Sequence, residues 1–184
     1  MQGKDHAKVA LVAYAGSMAG AWFLYSAGRQ DLAVGVAAGG FTGWLLTPDI
    51  DINGTTYEEY RLYKLFWPIG FVWQNFWSPY GLAFAHRGWS HTPFIGTLTR
   101  LIYVLVAISL ALLTFNEYIW WMGYDESLKL DTFVAFRFIA QNSEMCIAWY
   151  LLWSFQDILH YVADKWSTAA KKEARRSIRK GEDW

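Results

Sequence analysis

The sequence predicts an all-α membrane protein with about four helices that span a bilayer or are embedded in it. Of its 184 residues, 54% are hydrophobic and 19% are aromatic, including 12 Trp and 11 Tyr. Such aromatic enrichment is typical of chains that meet a membrane–water interface. The apolar residues also gather into long runs without charge. At this length we expect one domain, residues 1–168, followed by a basic tail, residues 169–184.

Four apolar runs are the predicted membrane helices: residues 9–27, 32–47, 101–115 and 132–155. A spanning helix needs about twenty apolar residues, so the first run fits well and the second and third are short. The third lengthens only if Arg100 is tolerated, and the fourth is weaker because it contains Arg137 and Glu144. The alternative is a soluble bundle of buried helices, since the mean hydropathy is only +0.11.

The chain between the second and third runs, residues 57–80, is aromatic but interrupted by polar residues. This composition is typical of a segment in the membrane interface or of an aromatic layer packed over the helices, and both interpretations stay open. Beyond it, Thr92 and Pro93 predict the start of the third helix. Thr is a favoured N-cap residue, and Pro is favoured at the first helical position.

The distribution of basic residues predicts the orientation of these helices. Four spans place both termini on one side, and nearly all Lys and Arg residues outside the apolar runs, including the basic tail, then share that side. The positive-inside rule makes it the cytoplasmic side. The tail is expected to contact anionic membrane lipid, whereas nucleic acid is an unfavoured partner for so short a basic segment.

The chain has four histidines, and each lies beside a carboxylate or another histidine. In the predicted topology they and nearby aspartates lie at the cytoplasmic ends of the spans, so we expect them to converge on one face. Imidazole and carboxylate groups are ligands for divalent metals, most simply zinc, with manganese and calcium as alternatives. The candidate ligands are His6, Asp49, Asp51, His86, His91, His160 and Asp164.

Local spacing supports two parts of this set. Asp157, His160 and Asp164 are three and four residues apart, so on a helix they share one stripe and the last two can hold one ion. The ordinary alternative is an exposed contact between side chains one turn apart. Residues 49–54 also match the opening of an EF-hand calcium loop, but the twelfth loop position is Tyr60 instead of Glu.

Taken in order, the motifs resemble those of a known family. They are His6, Thr47-Pro48-Asp49-Ile50-Asp51, Arg61, Trp77-Ser78-Pro79-Tyr80, His86-Arg87-Gly88-Trp89-Ser90-His91 and the segment from Asp157 to Asp164. Over residues 6–165 the chain resembles uncharacterised bacterial metal-binding membrane proteins related to the YdjM-type, LexA-regulated metal-dependent hydrolases. It is also distantly similar to the zinc-dependent phospholipase C and P-type nuclease superfamily.

This resemblance implies metal-ligand roles for the candidate set, with Asp49 or Asp51 contributing. It also implies a hydrolase of a phosphoester, such as a phospholipid or another phosphorylated amphiphile, in the bacterial inner (cytoplasmic) membrane with both termini cytoplasmic. Asp51 is the candidate general base or bridging ligand. Arg87 is the candidate phosphate-binding residue, unless it forms a structural ion pair. Asp157 and Arg61 are expected to support the ligands without binding the ion.

A second hypothesis retains metal binding but assigns the protein no catalytic activity. Here the ion staples short, glycine-rich spans together, and the protein is a non-catalytic subunit or assembly factor with a membrane-protein partner. Glycines in the second run permit close helix approach, either internally or to that partner. These glycines are Gly35, Gly39, Gly40 and Gly43.

Overall fold

The computed structural model describes residues 3–47, 49, 64, 66–84 and 88–180, and these residues are all-helical apart from turns and connections. The α-helices are α1 (Gly3–Ser26), α2 (Gln30–Leu45), α3 (Trp67–Ala83), α4 (Ile95–Trp121), α5 (Val134–Gln141) and α6 (Ser143–Lys180). Single 3₁₀ turns, Trp89–His91 and Glu126–Leu128, precede and follow α4. The all-α prediction is confirmed for the described residues.

Helices α1, α2 and α6 pack through small residues. A tight turn at Gly28, with φ of 79°, reverses the chain so that α1 and α2 are antiparallel. Helix α2 then runs alongside α6 in the same direction. A Cβ atom at Gly35 or Gly39 would lie less than 3.0 Å from a backbone oxygen of α6, closer than real Cβ contacts. The prediction that these glycines permit close helix approach is confirmed, and they serve internal packing.

Helix α3 packs one face against α4 and leaves the other outside. Trp77 and Tyr80 are buried, and Tyr103 of α4 packs against them. The Tyr80 hydroxyl also forms a 2.9 Å hydrogen bond with Thr99 of α4. On the opposite face, Trp67 and its neighbours are exposed. The interpretation as an aromatic layer packed on a helix is confirmed for this face of α3, whereas the membrane-interface interpretation stays a prediction.

The structure corrects the predicted number of spans. Two helices of the described chain are long and apolar enough to cross a membrane, Lys8–Ser26 within α1 and Ile95–Trp121, which is α4. Helix α2 has 16 residues, about 24 Å, and is shorter than a bilayer core of about 30 Å. The fourth predicted run is divided near Asn142, where α5 ends and α6 begins. The prediction of four spans is therefore wrong.

Two boundaries also differ from expectation. Helix α4 begins at Ile95, after Thr92 and Pro93, because Phe94 adopts a left-handed φ of 64° that interrupts the helical backbone. At the other end of the chain, α6 continues to Lys180. The predicted boundary at residue 168 lies within this helix, and the division into domain and basic tail stays a prediction.

Candidate metal centre

Three segments that are remote in sequence meet at one end of the bundle. Asp49 follows the C-terminus of α2, His91 ends the turn before α4, and His160 lies in α6. One ligand atom from each of these residues lies within 4.8 Å of the other two. Both histidines are 7% exposed. The end of α2, the turn before α4 and the middle of α6 thus bring polar side chains to one enclosed place.

The spacing of these atoms suits a metal ion. His160 Nε2 lies 3.4 Å from Asp49 Oδ1 and 3.7 Å from Asp164 Oδ2. Ligand atoms about 2.0–2.1 Å from a tetrahedral ion are about 3.4 Å apart. A strong N–H···O hydrogen bond is shorter, about 2.9 Å. The His91 and His160 ring centroids are 5.8 Å apart, so both imidazoles border the same space.

The electrostatics of His160 favour a positive charge at this place. Burial lowers the pKa of its imidazole, but the hydrogen bond and charge of Asp49, followed by the charges of Asp164 and Asp157, outweigh that effect. The net result is a pKa raised above the ordinary value of 6.5. Carboxylates that favour a proton on an imidazole would equally favour a divalent cation bound to it.

Beneath the ligands lies a buried polar cluster that joins α4 to α6. Arg100 Nη2 and Thr97 Oγ1 both donate to Asp157 Oδ2. Burial raises the pKa of the Asp157 carboxyl, while Arg100 and Thr97 act in the opposite direction. Sequence reasoning treated Arg100 only as an interruption of an apolar run. That lone charge was the available signal, but nothing in the sequence joined it to Asp157.

The predicted site residues fall into three groups. Asp49, His91 and His160 come together, and Asp164 lies beside His160 without belonging to the group within 4.8 Å. Asp157 is buried one helical turn before His160 and bonded to α4. His6 lies in α1 with its side chain outside the described part. The others, outside the described residues altogether, are Asp51, Arg61, His86 and Arg87.

A small cleft lies beside His160, between α1, the end of α2 and the middle of α6. Its walls are largely apolar, and its polar groups come from Thr47, Gln156 and His160. The apolar walls are Val9, Ala10, Ala13, Gly43 and Leu159. The open space in this cleft is about that of one water molecule, so it is a small gap beside the ligands and not a formed substrate pocket.

Comparison with known proteins bears on the chemistry of the site. One family model, described as "Uncharacterized metal-binding protein (DUF2227)", matches residues 1–174, a range that contains every candidate ligand. No curated protein and no solved structure matches the chain. These comparisons give no support to the resemblance to YdjM-type hydrolases or to the phospholipase C superfamily. The family description agrees with the imidazole and carboxylate groups of the candidate site, and it names no metal or reaction.

Proposed function

The chain belongs to this DUF2227 family of metal-binding proteins, and from that premise we propose that it is a membrane-embedded, metal-dependent hydrolase of a phosphoester. Asp49, His91 and His160 would hold a divalent ion at the membrane surface. The observation that carries the proposal is the convergence of their ligand atoms within 4.8 Å from three separate segments. The resemblance of the motif order to metal-dependent hydrolases supports the reaction class.

The donor set fits zinc, because two imidazoles and one carboxylate match the three protein ligands of many catalytic zinc sites. Manganese would also accept these donors. When bound, such an ion lowers the pKa of a coordinated water and polarises a phosphoryl oxygen. Asp164, 3.7 Å from His160, would decide whether a coordination position stays open. As a fourth ligand it would close the site, whereas as a neighbour it could accept a proton from the water.

We assign the remaining chemistry to residues close in sequence to the ligands. Asp51 follows Asp49 by two positions and would act as the general base or bridge a second ion. Arg87 precedes His91 by four positions and would bind the phosphate, since guanidinium groups match its oxygens. Arg61 would assist from further away. These roles follow from sequence position and from the family resemblance.

The exposed surfaces of α1 and α4 support a membrane location. Only 11% of the apolar window of α1 and 6% of that of α4 are buried, whereas the core helix of a soluble protein is mostly covered. If α1 and α4 cross the bilayer, the metal centre at the end of the bundle would lie close to the lipid headgroups. We therefore favour a phosphorylated amphiphile as the substrate, at the cytoplasmic face of the bacterial inner membrane.

The first test is metal content followed by hydrolysis. We expect the full chain in detergent to carry at least one equivalent of zinc or manganese, and His160→Ala to lose it. Asp31→Asn, at the far end of α2, is the matched control and should keep the metal. Loaded wild type should then hydrolyse bis(p-nitrophenyl) phosphate or a phospholipid. Metal retention without hydrolysis of any phosphoester would reject the catalytic assignment.

The proposed orientation of the chain in the membrane has a separate test. Lys129 lies in the connection after α4, at the end of the bundle opposite the metal centre, and pairs with Glu126 at 2.8 Å. With the metal centre at the cytoplasmic face and α4 across the membrane, an impermeant amine reagent should label Lys129 from outside the inner membrane. A Lys129→Arg variant gives the background from other lysines. Labelling of Lys129 only after the membrane is opened would reverse the proposed orientation.

A structural role for the ion is the second candidate, favoured by one observation. Each ligand belongs to a different segment, so the ion would cross-link the chain after α2 and the middle of α6 to the turn before α4. In that case the protein would be a metal-stapled subunit of a membrane complex. A closed site has no exchangeable water, whereas a hydrolase needs one. Water relaxation around bound Mn²⁺ distinguishes the two.

A further inference from the structure

Arg100 is a buried charge on an outward-facing helix. Only 6% of the apolar window of α4 is buried, yet the Arg100 side chain is 0% exposed. It lies near the start of α4, at the end of the bundle that holds the metal centre. Burying a charge costs free energy unless it is paired. The contacts of Arg100 therefore indicate its structural role.

The first partners connect Arg100 to the helix that carries His160. Arg100 Nη2 and Thr97 Oγ1 donate to the same oxygen of Asp157. The guanidinium group also lies over the ring of Trp153, 5.5 Å from its centroid. Asp157 precedes His160 by one helical turn, so both side chains lie on the same side of α6. This region of α6 is thereby fixed against α4.

A further contact extends the network to the segment that carries Asp49. Trp153 Nε1 donates a 3.3 Å hydrogen bond to the carbonyl of Leu46, which is the C-cap residue of α2. Asp49 follows three residues later. The helix of Arg100 itself begins just after the turn that holds His91. One side chain therefore lies between the three segments that supply the candidate ligands.

Stability alone does not explain this arrangement. Within the described part of the chain, Nε and Nη1 of Arg100 and Oδ1 of Asp157 have no hydrogen-bond partner. Buried ion pairs with unsatisfied atoms are often less stabilising than apolar residues of the same volume. The contacts of the pair, which join α4 to α6 and through Trp153 to the end of α2, are therefore the observation that points to a role in fixing geometry.

We propose that Arg100 is a positioning residue of the metal centre. Through Asp157 and Trp153 it holds the segments of Asp49, His91 and His160 at the spacing that an ion requires, without touching the ion. The inference rests on the proposed metal binding and does not depend on hydrolysis. Groups that support metal ligands from outside the coordination sphere typically change metal affinity by about 10- to 100-fold.

The test measures zinc affinity of the full chain in detergent by chelator competition. Arg100→Gln should bind zinc about 10- to 100-fold more weakly than wild type, with an altered Co²⁺ absorption spectrum. Arg137→Gln is the matched control, because Arg137 also pairs with an aspartate, Asp131, but in the connection before α5. Tyr80→Phe removes a buried hydrogen bond to α4 and controls for general destabilisation. Both controls should bind zinc as wild type does.

A readout without metal separates this inference from the proposed function. Because the chain has four histidines, [¹⁵N]His labelling gives four imidazole spin systems, which substitution of each histidine assigns. In metal-free protein, the signals of His91 and His160 should move in Arg100→Gln and stay in both controls. If wild type binds no metal, the proposed function fails, and these spectra still test whether Arg100 positions the imidazoles.

Two results would overturn the inference. One is a folded Arg100→Gln protein with wild-type zinc affinity and wild-type imidazole signals. The other is an equal loss of affinity in Tyr80→Phe, which would make the effect one of general stability. If Arg100→Gln does not fold, Trp153→Phe replaces it, since Phe keeps a ring beneath Arg100 and loses the bond to Leu46. Wild-type affinity and imidazole signals in Trp153→Phe would then reject the role.

Discussion

His160 Nε2 and Asp49 Oδ1 lie 3.4 Å apart, although one residue is in the last helix and the other follows the second. The distance is long for a strong hydrogen bond and close to the separation of two ligands on a tetrahedral ion. With His91 beside them, the pair forms a site whose donors come from three segments. Such a site is complete only when the chain is folded.

Asp49 and Asp164 should contribute unequally to metal binding. Asp49 belongs to the group within 4.8 Å and Asp164 does not. We expect Asp49→Asn to weaken zinc binding by about 100-fold or more and Asp164→Asn by about 10-fold, the scale of a supporting group. Isothermal titration of each full-length variant measures this order. An equal loss in both variants would make Asp164 a full ligand and the site closed.

Metal binding should depend on pH through His160. Its pKa is raised above 6.5 because the carboxylates around it, Asp49 foremost, outweigh burial. A proton must leave before the imidazole binds a metal, so affinity should begin to fall at a higher pH than for an ordinary histidine. In Asp49→Asn this fall should move to lower pH. Zinc competition from about pH 5 to pH 8 measures the fall in affinity. If the midpoint of that fall is the same in wild type and Asp49→Asn, Asp49 does not raise the pKa of His160.

The raised pKa of His160 gives the stability of the metal-free protein a pH dependence opposite to that of metal binding. A histidine whose folded-state pKa is raised stabilises the folded state below its unfolded pKa, about 6.5. That contribution is lost as the pH rises through the folded-state pKa. Thermal unfolding of metal-free wild type should therefore lose this increment toward alkaline pH, and His160→Gln should lack it. If the melting temperatures of wild type and His160→Gln change with pH in parallel, protonation of His160 does not contribute to folding stability.

The sequence predicted that seven candidate ligands converge on one face, and three of them, Asp49, His91 and His160, lie together in the structure. The expectation relied on four spans whose ends meet on one side, so it was right for these three residues although the number of spans was wrong. The number of spans was not predictable in the same way. The sequence showed that the second run is short and that the fourth contains polar residues, but not that the fourth run is divided into two helices near Asn142.

Arg100 shows why part of the site was missed. Its partners, Asp157 and Trp153, lie far away in sequence and become neighbours only when α4 packs on α6. No spacing rule relates residues on separate helices, because their relation depends on how the helices dock. Asp157 was identified because it shares a helical stripe with His160. Its hydrogen bonds to α4 are tertiary contacts, which that spacing does not predict.

Glycine packing between α2 and α6 gives a stability prediction. A Cβ atom at Gly39 would meet the Trp149 carbonyl oxygen at less than 3.0 Å, whereas one at Gly16 meets nothing within 4 Å. Gly39→Ala should lower the free energy of unfolding by about 1–3 kcal/mol through overpacking. Gly16→Ala should be neutral or stabilising by up to about 1 kcal/mol. Thermal unfolding in detergent compares them, and equal midpoints would contradict the close approach.

The outward surface of α4 gives the test of membrane embedding. Leu110 lies near the middle of α4 and is 58% exposed, while Leu128 is 51% exposed in the connection that follows. If lipid surrounds α4, an arginine at its centre costs about 2.5–3.5 kcal/mol on insertion scales. Leu110→Arg should then reduce the fraction that resists alkaline extraction from membranes, and Leu128→Arg should not. If α4 instead lies against water, both substitutions replace an exposed leucine and should behave alike. Equal extraction of the two variants would therefore remove the main support for placing the metal centre at a membrane surface.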